Sequence, residues 1–73
     1  MSDMFYFAEV SDVGSIRKAE PLKATNLVAA KREATRKMKF YGTGLIIGTS
    51  VSEFGFINLN SIVANKVGDK WLD

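Results

Sequence analysis

The stretch ATNLVAAKREATRKMKFYG, residues 24–42, constrains the fold of this chain more than any other. Leu27, Ala30, Ala34 and Met38 follow one another at spacings of three, four and four. In a helix of 3.6 residues per turn that spacing makes one apolar stripe. Asn26 stands just before the stripe, where a side-chain oxygen can accept from the free backbone N–H groups of a first turn. Gly42 stands beyond it and tolerates the left-handed backbone that commonly ends a helix. The pattern predicts one helix over about residues 27–39. A helix with a single apolar stripe must lay that stripe on something else, and the rest of the chain reads as strands.

Residues 4–10, MFYFAEV, are aromatic and β-branched and predict a first strand. SDVGS follows with turn chemistry. IRKAEPLKA, residues 16–24, contains Pro21, which cannot donate to a central ladder, so an edge strand ending near Ala24 is expected. After the helix, TGLIIGTSV and FGFINLN predict two strands joined through Ser52 and Glu53. SIVANKVGDKWLD closes the chain as a smaller hairpin whose last strand carries Trp71. Short connections favour antiparallel neighbours. The expected fold is α+β: one domain, residues 1–73, with one helix packed on an antiparallel β-sheet of four to five strands in two layers, the other sheet face open.

Composition narrows the chemistry. At 73 residues the core is thin and stability marginal. There is no cysteine, hence no disulfide framework, thiol nucleophile or cysteine-held zinc. There is no histidine, which removes the commonest general base and metal ligand. The remaining carboxylates, lysines, hydroxyls and tyrosines form no recognisable catalytic constellation, so the sequence predicts a non-enzyme without cofactor or metal. No stretch approaches the roughly 20 apolar residues of a membrane span, and a soluble, intracellular protein is expected.

The charge is unevenly placed. The net charge is only +2, yet residues 29–39, AAKREATRKMK, hold five basic residues and one acid, Glu33. On a helical wheel Lys31, Arg32, Arg36 and Lys39 form a continuous sector away from the apolar stripe. Lys37 falls on the other flank, four residues after Glu33, where an ordinary salt bridge is expected. The basic sector reads either as a solubilising face, favoured near a helix C-terminus by the macrodipole, or as a surface that binds an anionic partner. A parallel question concerns the aromatics. If Tyr6, Ala8, Val10, Ile57 and Leu59 face the helix, then Phe5, Phe7, Phe54 and Phe56 crowd the open face as a stacking platform. If the phase is inverted, the phenylalanines are core.

The order of these pieces carries a resemblance. Residues 24–45, ATNLVAAKREATRKMKFYGTGL, with KWLD near the end, resemble small phage anti-CRISPR proteins that inhibit type I-F systems. The shared pattern is a polar cap, a helix reading A-K-R-x-A-[ST]-[KR], F-x-G-T-x-L entering a strand, and a terminal [KR]-W-[LV]-D. The resemblance implies a non-catalytic protein, phage- or prophage-encoded and acting in the bacterial host cytoplasm. It further implies docking on the backbone subunits that coat the guide RNA in the CRISPR surveillance complex (Csy, or Cascade), in competition with target DNA. The helix positions used in that family fall on Lys31, Arg32 and Arg36. Arg36 replaces a lysine, Met38 replaces a glutamine that shares in contact, and residues 51–65 are longer here. These departures leave open a different CRISPR subtype, another defence complex or no such target.

Two functions therefore follow. The first is an inhibitor of a type I CRISPR complex with Lys31, Arg32, Arg36 and Lys39 as partner-binding residues and a possible accessory contact with DNA. The alternative is a small nucleic-acid-binding module using the basic helix, residues 31–39. The absence of Lys and Arg between Thr43 and Asn60 weighs against base stacking on those strands.

Overall fold

A computed structural model describes residues 4–11, 13–39, 44–68 and 70–72. Among these residues five strands and one α-helix follow in the order β1 (Tyr6–Val10), β2 (Glu20–Pro21), α1 (Leu27–Lys37), β3 (Gly44–Gly48), β4 (Ile62–Val67) and β5 (Lys70–Leu72). The strands form one sheet in the spatial order β2-β1-β3-β4-β5, with every neighbouring pair antiparallel. β1 pairs with both β2 and β3, so those two run parallel on either side of it, and α1 carries the connection over one sheet face. The expected α+β architecture, with one helix on an antiparallel sheet, is the one observed.

Helix α1 starts where its sequence says it should. The Asn26 side chain accepts from the Ala29 N–H at 2.9 Å. Ala30 and Ala34 are fully buried, Met38 just after the helix is buried, and Leu27 packs at the margin. They meet Phe7, Leu22, Leu45, Ile47 and Ala64 in the main core. The helix ends at Lys37, and Met38 turns into extended backbone with ψ of 130°. It therefore stops two residues short of the expected end; Gly42, the expected stop, lies outside the described residues.

Two buried carboxylates fasten the ends of this connection. The Lys23 N–H donates to both oxygens of Glu33, at 2.9 and 3.1 Å, and the Ala24 N–H donates to Oε1 at 3.0 Å. Beyond the helix, the Lys39 N–H donates to Glu9 Oε2 at 3.1 Å. Both acids thus satisfy backbone donors that no ladder reaches, which lets them sit inside the fold.

The strand phase is the inverse of the platform arrangement. Phe7 is core beneath the helix and Phe5 packs beside it. Tyr6, Ala8 and Val10 face the other way, into a second cluster with Ile46, Ile57 and Ile16. β1 is apolar on both faces, so alternation alone carries no information about which face meets the helix. FGFINLN is not a strand either. Val51 and Ile57 form a single bridge around a tight turn, with Gly55 at a φ of 89°, and Leu59–Ser61 is a 3₁₀ turn. This excursion folds back so that Ile57 plugs the sheet face expected to be open. Phe54 and Phe56 stay exposed on it, and Leu59 is exposed rather than under the helix.

The edge strand before the helix is shorter than expected, two residues at Glu20–Pro21, with a separate bridge from Ile16 to Val10. The closing hairpin is as read: β4 and β5 pair Lys66 with Trp71 and Val67 with Lys70. The cluster around Ile57 covers the β1–β3 half of its face, leaving Val63, Val67 and Leu72 exposed on the β4–β5 half.

Candidate docking groove beside helix α1

The sheet register brings Trp71 to the helix side. Trp71 lies opposite Lys66, which lies opposite Leu45 at the centre of the main core, and side chains at directly paired positions share a face. The indole is half-buried and packs against that core. Its remaining surface forms one wall of a groove of about 740 Å³ against the outer flank of α1. Val28, Lys31, Arg32, Thr35 and Arg36 form the opposite wall. Helical spacing explains the set: 28, 32 and 35 follow one another by four and three, and 28, 31 and 35 by three and four, so they stack on one flank.

Charge and apolar surface are interleaved in this groove. The Lys31 ammonium sits 5.8 Å from the centroid of the Trp71 ring, within cation–π range. Arg32 and Arg36 are exposed, and Val28 is 63% exposed although apolar. None of the described residues lining the groove is acidic. Thr35 turns its hydroxyl inward to the Lys31 carbonyl, donating at 2.8 Å.

Three of the four candidate residues, Lys31, Arg32 and Arg36, therefore line one groove. Lys39 does not. Because the chain leaves helical geometry at Met38, the wheel no longer applies, and Lys39 Nζ lies 4.0 Å from Glu20 beside β2. Lys37 pairs with Glu33 at 3.1 Å, as expected from the i, i+4 spacing. Hydrogen bonding from the Lys23 N–H, aided by Lys37 and Ala24, holds the Glu33 carboxyl below its ordinary value of 4.5 against the opposing effect of desolvation.

Two groove residues escape a reading of the sequence alone. Val28 looks like an ordinary neighbour of the apolar stripe, and only its position on the wheel, toward Arg32 and Thr35, separates it. Trp71 is far away in sequence and reads as a core anchor. Its half-buried ring packs at the margin of the core and also walls the groove, which depends on a strand register that sequence does not print.

The fold and groove define a small two-layer α+β domain with a basic, aromatic-walled groove beside its helix. No protein-family model matches the chain, and no curated protein matches it significantly.

Proposed function

We propose that this protein is a non-catalytic inhibitor of a bacterial defence complex, of the anti-CRISPR kind, which docks through the α1 groove. Its partner on this reading is a guide-RNA-coating backbone subunit of a type I CRISPR surveillance complex, and docking obstructs the path of target DNA. The observation that carries the reading is the convergence of Lys31, Arg32 and Arg36 on Trp71 and Val28. These are the three helix positions at which the resemblance to type I-F inhibitors implies contact. Arginines can grip carboxylates through paired hydrogen bonds, while an adjacent half-buried indole and a valine supply apolar area. An acidic patch on the partner would complement the groove.

The second reading, direct binding of nucleic acid through residues 31–39, draws on the same cations beside an aromatic ring. It is weakened by the strand phase. Phe5 and Phe7 pack with the main core, so of the four phenylalanines only Phe54 and Phe56 stay exposed, and they sit on the excursion rather than on a strand. Lys39, part of that basic segment, is drawn away to Glu20.

The test sets a pull-down against a gel shift. Purified protein is mixed with a type I-F surveillance complex, and separately with duplex and single-stranded DNA at two salt concentrations. Co-elution with the complex, together with loss of target-DNA capture, is expected. Tight, salt-sensitive DNA binding by the isolated protein with no complex retained would overturn the inhibitor reading and favour the second.

A further inference from the structure

We propose that β5 accepts a sixth strand: an extended acidic segment of the protein partner that pairs with the sheet edge at Trp71 and points its carboxylates into the groove. This rests on reading the groove as a docking surface and specifies how a partner would occupy it.

The direction of the edge backbone follows from the ladder. The Leu22 N–H donates to the Phe5 carbonyl at 2.8 Å and the Arg17 N–H to the Glu9 carbonyl at 2.9 Å. Odd-numbered residues of β1 therefore turn their backbone groups toward β2, and Ala8 turns its own toward Ile46 of β3. Alternation then commits Leu45 to Lys66, and Asn65 and Val67 to Leu72 and Lys70. The two-residue connection from Val67 to Lys70 agrees, because the residues flanking such a loop form a hydrogen-bonded pair. Trp71 is left with its N–H and C=O directed away from β4, at the outer edge of the sheet.

That edge differs from the opposite one. At β2, Pro21 removes a donor, which blunts the edge against pairing. At β5 the outward donor and acceptor of Trp71 stand beside three cations. A strand laid there would place the residue opposite Trp71, and residues two positions away, on the helix side near Lys31, Arg32 and Arg36. Of the intervening residues, one would meet Leu72, with Val63 beyond it, 54% and 39% exposed on the other face, and the one opposite Lys70 would lie beside the aliphatic stem of that lysine. The edge thus selects alternating acidic and apolar side chains, a strand-addition mode of recognition. A second copy of this chain fits poorly. Pairing β5 with itself about Trp71 would bring two sets of groove cations together, and like charges in facing positions are destabilising.

The probe is the peptide Ile-Glu-Val-Glu-Val-Glu-Ile, added to ¹⁵N-labelled full-length protein. Its control is Glu-Glu-Glu-Ile-Val-Val-Ile, with equal charge and composition but no alternation. The alternating peptide should slow exchange of the Trp71 amide by at least about tenfold, since a newly bonded N–H opens only with the added strand. The blocked control should not, and Arg32→Glu with Arg36→Glu should remove the effect. Equal behaviour of the two peptides, binding without slowed exchange at Trp71, or no binding at millimolar peptide would each overturn strand addition. Concentration-dependent protection of Trp71 without peptide would overturn it in favour of a second copy. If the surveillance complex is retained while the peptide leaves Trp71 unprotected, the docking function stands and only strand addition falls. Protection by the peptide with no complex retained separates the two the other way.

Discussion

Glu33 illustrates how one side chain can be legible in part. Its spacing to Lys37 is visible in the sequence, and the ion pair forms at 3.1 Å. Its larger task is to receive the Lys23 and Ala24 N–H groups, which ties the segment before α1 to the middle of the helix. Because this folded carboxyl titrates below its ordinary value of 4.5, its stabilising contribution is complete above that pH. It is lost as pH falls below about 4.5 and through the lower folded value. Thermal midpoints measured from neutral pH down to about pH 3 should fall on the acid limb, and Glu33→Gln should flatten that limb while lowering the midpoint at neutral pH. An unchanged acid limb in the variant would refute the assignment. Trp71 supports a second residue-scale prediction. A fully buried aromatic truncated to alanine costs roughly 3–5 kcal/mol; Trp71 is half-buried, so Trp71→Ala should cost less than that range but still measurably lower the melting temperature. Trp71→Phe should recover much of the stability, because a smaller ring still packs on the core.

At the scale of elements, α1 is the part most fully written in the sequence, since its stripe, cap and neighbours are all local. Asn26→Ala should cost about 1 kcal/mol, the usual worth of an N-cap, read as a shift in urea midpoint without a change in slope. The 49–61 excursion is the part least written there. FGFINLN has strand composition, yet it becomes a turn and a 3₁₀ segment because a network around Ser50, Asn58 and Ser61 claims its backbone. Asn58 Nδ2 donates to Ser50 Oγ at 2.7 Å, Ser61 Oγ donates to the Asn58 carbonyl at 2.8 Å, and the Asn58 N–H reaches the Ser50 carbonyl at 3.0 Å. Such side-chain competition for backbone groups leaves no periodicity to read. Gly48 fixes where the excursion seats, because a Cβ there would collide with Ile57 Cγ2. Gly48→Ala should therefore destabilise by about 1–3 kcal/mol, an overpacking cost. Adding Ile57→Ala should make the Gly48→Ala change cheaper than it is in the parent, a non-additivity that a double-mutant cycle reads directly. Additive losses would show that Ile57 does not set the limit. The groove was legible by half for the same reason: its helical wall follows from spacing within α1, while its indole wall follows from pairings between distant strands.

Across the whole molecule, the distribution of charge matters more than its sum. The net charge of +2 is too small to steer a partner by itself. The fold sorts the basic residues instead. Lys37 is held by Glu33 and Lys39 sits near Glu20, while Lys31, Arg32 and Arg36 gather beside Trp71 along one groove. This sorting makes Lys39 an internal control for the docking proposal. Arg32→Glu and Arg36→Glu should each weaken binding to the partner complex by at least about 2–5 kcal/mol, the cost of losing one member of a desolvated interfacial charge pair. Lys39→Glu, with the same change in net charge, should cost far less. All three should melt close to the parent, since exposed charges contribute little to stability. Lys31→Glu is expected to do both, weakening the partner and giving up roughly 0.5–1 kcal/mol of cation–π contact with Trp71. Titration calorimetry against a type I CRISPR complex, with melting curves on the same samples, separates these outcomes. Equal losses at positions 32, 36 and 39 would mean that only total charge is sensed and that the groove has no special role. Losses confined to 31, 32 and 36 would tie recognition to the one surface where helix, strand edge and indole meet.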